Sequence, residues 1–216
     1  MDFAEMFFVL LELLGTASFS IAGAMAGVRK KADIFGVLLL GTTTAVGGGI
    51  IRDLLLGRTP PAAFRDGKMI LLALISAGAL FLLVRRHQDW YLRSSEEVDA
   101  INNVFDALGL GLFTVVGVQT AVSAGQGENL LFCVFLGMTT GVGGGLLRDI
   151  MLGEIPGIIT KRVYAVASIL GALCYWALYH LPAVTIPSAT LCSILLIFLI
   201  RMAATKNHWN LPKAID

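Results

Sequence analysis

Apolar residues fill seven long stretches of the chain, and charged or turn-forming residues separate them. The stretches cover residues 7–26, 34–56, 69–84, 104–122, 130–152, 163–179 and 184–200. They lack the period-two alternation of a membrane β-barrel strand. In lipid, a helix satisfies all of its own backbone hydrogen-bonding groups. The pattern therefore predicts an all-α membrane protein with seven transmembrane helices.

Two of these stretches carry nearly the same sequence. "GTTTAVGGGIIRDLLLGRTP" (residues 41–60) and "GMTTGVGGGLLRDIMLGEIP" (residues 137–156) are identical at 12 of 20 positions. The stretches before them also match, more weakly, and pair Glu12 with Asp106. Helices one to three therefore resemble helices four to six, and helix seven is extra.

Three spans is an odd number, so the second copy must enter the membrane from the opposite side. This predicts an inverted-topology repeat, an arrangement common in transporters. We divide the chain into residues 1–90 (first repeat), 91–182 (second, inverted repeat) and 183–216 (seventh helix and tail). All three parts belong to one membrane domain.

Basic residues are unevenly distributed between the two sides of the predicted membrane domain. With the N-terminus outside, eleven of the 16 lysines and arginines lie in cytoplasmic segments or at their helix ends, among them Lys161, Arg162 and Lys213. Outer segments hold three. Because cytoplasmic loops carry the excess of Lys and Arg, we expect an outer N-terminus and a cytoplasmic C-terminus.

The composition agrees with this class and excludes others. Hydrophobic residues make up 56% of the chain and charged residues 14%, with a mean hydropathy of +0.81, whereas soluble domains carry about 25% charged residues. No basic cluster indicates a nucleic-acid partner. The three cysteines have no metal-ligand spacing, and no nucleophile–base pattern is present. We therefore expect no enzyme activity, no metal site and no cofactor.

The duplicated triple glycines are the first candidate site. Each glycine costs a helix interior about 1 kcal/mol relative to alanine, so three in a row favour a kink or a local break. Broken backbone in a membrane must face protein or a water-filled path, where carbonyls can coordinate a cation. The alternative is that the glycines only allow close helix packing. The candidate pore and kink residues are Thr43, Thr44, Gly47, Gly48, Gly49, Thr139, Thr140, Gly143, Gly144 and Gly145.

Charged residues inside the spans are the second candidate site, because Arg or Asp at a helix centre costs about 2.5–3.5 kcal/mol on insertion scales. Glu12 and Arg52 fall at the outer end of their helices. Asp106 and Arg148 fall at the inner end. We therefore predict one ion pair between Glu12 and Arg52 and another between Asp106 and Arg148.

Asp53 and Asp149 follow the two arginines directly and complete the predicted charge network. Successive helical residues point about 100° apart. We therefore expect these carboxylates to face a pore or a neighbouring subunit. The alternative is a structural network of all six charges that locks the repeats together. The two interpretations are compatible, since a fixed network can also frame an ion path.

At these residues the chain resembles a known family. The doubled pattern T-T-x-V-G-G-G-x-x-R-D-x-x-x-G, the seven spans and the basic loop are similar to the prokaryotic branch of the TRIC (trimeric intracellular cation) channel family. The same bacterial sequences are also grouped under a glycine transporter label. The resemblance implies a homotrimer with one pore per protomer, conducting potassium and other monovalent cations. It places the pore between the repeats, with helices two and five bent at residues 47–49 and 143–145.

The resemblance also implies a bacterial inner membrane location and contact with membrane lipid. Animal members carry a lysine-containing motif linked to lipid binding, where this chain has glycines. Phosphoinositide regulation is therefore not expected. Two functions remain open, a passive cation channel and a carrier for glycine or another small zwitterion. A membrane scaffold is a third, but it leaves the duplicated charges unexplained, and we favour the channel.

Overall fold

A computed structural model describes residues 3–160 and 163–209 of the chain, and Lys161, Arg162 and Lys213 lie outside the described residues. The described part contains helices and no strand. The helices are α1 (Phe3–Arg29), α2 (Ile34–Leu55), α3 (Ala62–Asp66), α4 (Lys68–Arg86), α5 (Gln88–Arg93), α6 (Ser95–Ala121), a π-helical turn (Val122–Gln126), α7 (Leu130–Met151), α8 (Gly157–Thr160), α9 (Tyr164–Tyr179) and α10 (Ile186–Lys206).

Six of these helices are long and apolar enough to cross a membrane, namely α1, α2, α4, α6, α7 and α10. Helix α9 is apolar but has 16 residues, about 24 Å of helix. The all-helical membrane class expected from the sequence is therefore confirmed, with α9 shorter than the other six. The polar segment between the third and fourth apolar stretches, residues 85–103, is largely helical, because the end of α4, all of α5 and the first turns of α6 lie there.

Helices α2 and α7 begin and end in the same way, because the same residue types recur at both ends. Asp33 accepts a hydrogen bond from the Gly36 backbone N–H at 2.8 Å, and Asn129 accepts one from Phe132 N–H at 3.1 Å. These are N-caps of the usual chemistry. Gly57 and Gly153 follow the two C-termini with φ of 68° and 66°, a left-handed conformation that glycine adopts without strain. With equivalent residues at both ends, the two helices have the same length, 22 residues.

Helices α1 and α6 run antiparallel along each other. The rings of Phe19 and Phe113 stack with centroids 5.4 Å apart. A Cβ on Gly15 would press against the ring of Phe113, and one on Gly109 would overlap the ring of Phe19. Going along α1 from Gly15 to Phe19, the contacted residue on α6 moves back from Phe113 to Gly109, as antiparallel packing requires. Each phenylalanine fills the space that a glycine leaves on the other helix.

Helices α2 and α7 cross backbone to backbone at the triple glycines. A Cβ on Gly48 would overlap the carbonyl of Thr140, and a Cβ on Gly144 would overlap the carbonyl of Thr44. Both helices continue as regular α-helix through these residues. The local break expected from the sequence is therefore absent, because packing against the other helix supports the glycine-rich turns. The contacts agree with the alternative interpretation, close helix packing.

We predict that Gly48→Ala and Gly144→Ala destabilise the protein by about 1–3 kcal/mol, the usual cost of overpacking. Gly78→Ala is the control, since a Cβ there meets its nearest atom, Leu38 Cδ2, at 3.7 Å. It should be neutral or stabilising, because alanine favours helix. Equilibrium unfolding in detergent measures all three. Equal stability of the Gly48 and Gly78 variants would contradict the close crossing.

Candidate functional site

The first charge cluster joins α1, α2 and the start of α3. Arg52 donates to Asp53 Oδ1 from Nε at 2.9 Å and to Glu12 Oε1 from Nη1 at 3.3 Å. The second oxygen of Asp53 accepts from the Ala62 backbone N–H at 2.8 Å. Arg52 is buried while Glu12 is partly exposed, with 31% of its side chain accessible. The guanidinium is thus compensated by two carboxylates, one of them at a water-accessible edge.

The second charge cluster repeats this arrangement between α6, α7 and α8. Arg148 Nε lies 2.9 Å from Asp149 Oδ1, and Arg148 Nη1 lies 3.3 Å from Asp106 Oδ1. Asp149 Oδ2 accepts from the Gly157 backbone N–H at 2.6 Å. Both ion pairs that helix depth predicts, Glu12–Arg52 and Asp106–Arg148, are therefore present.

Asp53 and Asp149 are bound inside their clusters, as the structural-network alternative expects. Both carboxylates are buried, with 2% and 5% of their side chains accessible. Each binds the arginine directly before it and the first turn of the following short helix. The long arginine side chain folds back toward the next residue, which overcomes the angular separation along the helix. These aspartates hold the clusters together, and Asp53 also lines the first cavity described below.

Two residues of the second cluster escaped the sequence analysis. Tyr164 donates from its hydroxyl to Asp106 Oδ1 at 3.3 Å. Arg201 Nη2 lies 3.7 Å from Asp106 Oδ2, and its guanidinium stacks over the Tyr164 ring, 4.6 Å from the centroid. Arg201 is a buried residue of α10. The sequence does show that Arg201 directly follows the apolar stretch 184–200. Its partner could not be identified from this, because the partner depends on where α10 packs.

Each cluster borders its own cavity. The first cavity, about 130 Å³, is lined by Glu12, Thr16, Gly49, Arg52, Asp53 and Asp66 among others. The second, about 200 Å³, is lined by Arg29, Asp99, Asn102, Asn103, Asp106, Arg148 and Arg201. A single water needs about 10–15 Å³ of such space, so both cavities are large enough for several waters.

The two cavities lie at different depths along α1, the first beside its N-terminal half and the second at its C-terminal end. Glu12 borders the first and Arg29 borders the second. Glu12 and Arg29 are seventeen residue steps apart, which corresponds to about 26 Å of helix. Arg29 also forms an ion pair with Asp99 at the start of α6. Between the cavities lies the α2–α7 crossing, where Gly47, Gly48, Gly143, Gly144 and Gly145 are buried.

The threonines next to the glycines direct their hydroxyls into their own helices. Thr44 donates to the Leu40 carbonyl at 2.6 Å, and Thr140 donates to the Leu136 carbonyl at 2.6 Å. Thr139 donates to the Phe135 carbonyl at 2.8 Å, and Thr43 is half-buried. At the crossing, the carbonyls of Thr44 and Thr140 rather than their hydroxyls meet the opposite helix.

Asp66 lies at the rim of the first cavity, outside the membrane-spanning helices. A hydrogen bond from the Lys68 backbone N–H, at 3.1 Å, and the Lys68 ammonium at 3.2 Å lower the pKa of its carboxyl. The group therefore carries its negative charge at neutral pH. Elsewhere in the described part of the chain, no three His, Cys, Asp or Glu side chains are grouped to hold a metal ion.

Comparison with known sequences gives a consistent result. A family model described as a glycine transporter matches residues 9–86 and again residues 103–180. The chain is 36% identical to the UPF0126 inner membrane protein YadS of Escherichia coli, over 94% of this chain and 93% of that one. It is 38% identical to a UPF0126 membrane protein of Deinococcus radiodurans, over 94% and 89% of the two chains.

Comparison with solved structures points the same way. A prokaryotic TRIC channel shares 32% identity with a TM-score of 0.83, covering 96% of this chain and 100% of that one. The trimeric intracellular cation channel orthologue from Rhodobacter sphaeroides shares 34% identity with a TM-score of 0.81, covering 93% and 98%.

We predict that Asp149→Asn destabilises the protein by about 3 kcal/mol, because it leaves a buried guanidinium with one carboxylate fewer. Asp66→Asn is the control, since Asp66 and Lys68 are exposed and exposed pairs contribute little. Equilibrium unfolding in detergent compares the two. The structural role of Asp149 is contradicted if the two variants unfold alike.

Proposed function

Because the chain belongs to the prokaryotic branch of the TRIC family, which the glycine transporter model describes, we propose that it is a channel for monovalent cations, with potassium as the permeant ion. The resemblance seen in the doubled motif is confirmed by the comparisons. Solved relatives named as cation channels share the fold over nearly their whole length. This likeness supports cation conduction, and the two cavities support the pore described next.

The proposed pore runs within one protomer, from the first cavity past the α2–α7 crossing to the second cavity. The observation that carries it is the position of the cavities, at different depths along α1 and each bordered by an arginine of the repeated motif. Gly49 lines the first cavity, and the neighbouring glycines remove side chains from the narrow part between. Permeation requires this crossing to loosen, since its backbones are in contact.

We propose that residues 1–90 and 91–182 form an inverted repeat. This repeat places the glycines of α2 and α7 at equivalent positions beside the proposed pore. Antiparallel α1 and α6, the matching caps of α2 and α7, and the reciprocal contacts of Gly48 and Gly144 support it. Residues 183–216 then add α10, which has no counterpart in the first repeat. The excess of basic residues supports an outer N-terminus and a cytoplasmic C-terminus.

The six charges act as a structural frame around this route. Buried arginines without compensation are costly in a membrane, and here each is bound by two carboxylates. The frame also fixes the local potential at either cavity. We further propose a homotrimer in a bacterial inner membrane, in contact with lipid. Relatives named as trimeric channels and as an inner membrane protein support this assignment.

The carrier is the second candidate, favoured by the description of the family model. A carrier for a zwitterion of this kind uses broken helices, whose exposed N-termini bind the carboxylate. Helices α2 and α7 are continuous at the glycines and expose no such N-terminus there. This observation favours the channel.

We predict that purified protein in a planar bilayer gives single-channel steps, with a current that reverses near the potassium equilibrium potential under asymmetric KCl. A channel passes ions without a conformational turnover cycle. Its current should therefore keep rising with potassium concentration where the transport rate of a carrier would already be saturated. Protein-free membranes are the control. Saturable glycine uptake into proteoliposomes, without current steps, would overturn the channel in favour of the carrier.

We also predict sided access to the two cavities. In a chain whose native cysteines are replaced by alanine, Thr16→Cys lines the first cavity and Asn102→Cys the second. A water-soluble, charged thiol reagent should reduce current through each variant from one side only, and the sides should differ. Ile75→Cys, on the exposed surface of α4, is the control and should not respond. Modification of both cavity positions from the same side would contradict the proposed route.

A further inference from the structure

The two cavities differ in charge although the repeats match in sequence. Among the charged residues that line the first cavity, three are carboxylates (Glu12, Asp53 and Asp66) and one is a guanidinium (Arg52), a net charge of −2. The second cavity is lined by three guanidinium groups, from Arg29, Arg148 and Arg201, and by two carboxylates, from Asp99 and Asp106, a net charge of +1.

The ion-pair partners of the lining residues do not remove this difference. Lys68 binds Asp66 at 3.2 Å beside the first cavity, and Asp149 binds Arg148 at 2.8 Å beside the second. Counting them leaves −1 at the first cavity and 0 at the second. The first cavity is therefore the more negative one under either count.

Arg201 is a main source of the difference. It comes from α10, the helix outside the repeat, and approaches Asp106 to 3.7 Å. Glu12, the counterpart of Asp106 in the first repeat, forms an ion pair with one arginine, Arg52, among the residues that the structure describes. The Tyr164 ring, 4.6 Å away, holds the Arg201 guanidinium in place. The unpaired seventh helix thus adds one positive charge at one end of an otherwise matched pair of sites.

The second cavity also offers a polar surface to water. The Oδ1 atom of Asn102 is buried and makes no hydrogen bond with the protein. A buried acceptor of this kind is normally satisfied by water. In the second cavity, which Asn102 lines, water can supply that bond. The charged groups that line a hydrated cavity act electrostatically on passing ions within about one Debye screening length.

We propose that this chain conducts cations asymmetrically, more readily from the first cavity to the second than in reverse, and that Arg201 is the residue that sets the asymmetry. The inference rests on the proposed channel function. A negative cavity raises the local concentration of cations that enter through it, and a positive cavity lowers it. One unit charge at about 8 Å in a wet site changes that concentration on the order of twofold at low salt.

Single-channel recording in symmetric KCl tests the proposal. At 0.1 M, the current in one direction should exceed the current in the other by about twofold. At 1 M the ratio should approach one, because the screening length falls from about 10 Å to about 3 Å. This comparison needs no variant, so it does not depend on how a substitution affects folding.

Variants then assign the residue. Arg201→Gln should bring the ratio nearer to one by raising the smaller current, and Arg201→Lys, which keeps the charge, should preserve the ratio. Glu12→Gln should also bring it nearer to one, by lowering the larger current. A linear wild-type current at 0.1 M overturns the inference and leaves the channel standing. A ratio that Arg201→Gln does not change overturns the role of Arg201. Absence of any wild-type current overturns the proposed function itself.

Discussion

The backbones of α2 and α7 touch at the triple glycines, and this contact holds the two repeated halves of the chain together. Gly48 and Gly144 each bring their helix against a threonine carbonyl of the other, and a single methyl group at either position would overlap it. Helices in lipid gain little hydrophobic energy from association and depend on close packing. The glycines therefore lower the intrinsic helix propensity of α2 and α7 but allow close packing between the two halves. Because α2 and α7 are antiparallel at this point, the motifs that follow the glycines end on opposite sides of it.

The charge clusters follow from that geometry. Arg52 and Arg148 lie one turn beyond the glycines, where burial would make an isolated guanidinium costly. Each is bound by a carboxylate of its own helix and by one from the preceding long helix. The same aspartates accept from the backbone of α3 and α8. Each cluster thus fixes two membrane helices and the chain reversal after the motif, and it also borders a cavity.

Much of this arrangement could be predicted from the sequence. The apolar stretches located the helices, the repeated motif paired α2 with α7, and helix depth paired Glu12 with Arg52 and Asp106 with Arg148. The continuity of α2 and α7 could not be predicted, because a sequence shows what a glycine costs but not which backbone approaches it. The bond between each arginine and the aspartate after it could not be predicted from helical rotation, because an arginine side chain is long enough to fold back to its neighbour. Arg201 was missed because its partner depends on the packing of a helix outside the repeat.

Two antiparallel halves meet at the glycine contact, and the cation path that we propose runs beside it through hydrated cavities. A crystal structure of the protein in thallium salt tests it most directly, since thallium substitutes for potassium and is located by its anomalous scattering. We expect thallium in the first cavity, near Glu12 and Gly49, with Gly48 and Gly144 between the two cavities. Thallium found only outside both cavities, with α2 and α7 separated by lipid, would contradict it.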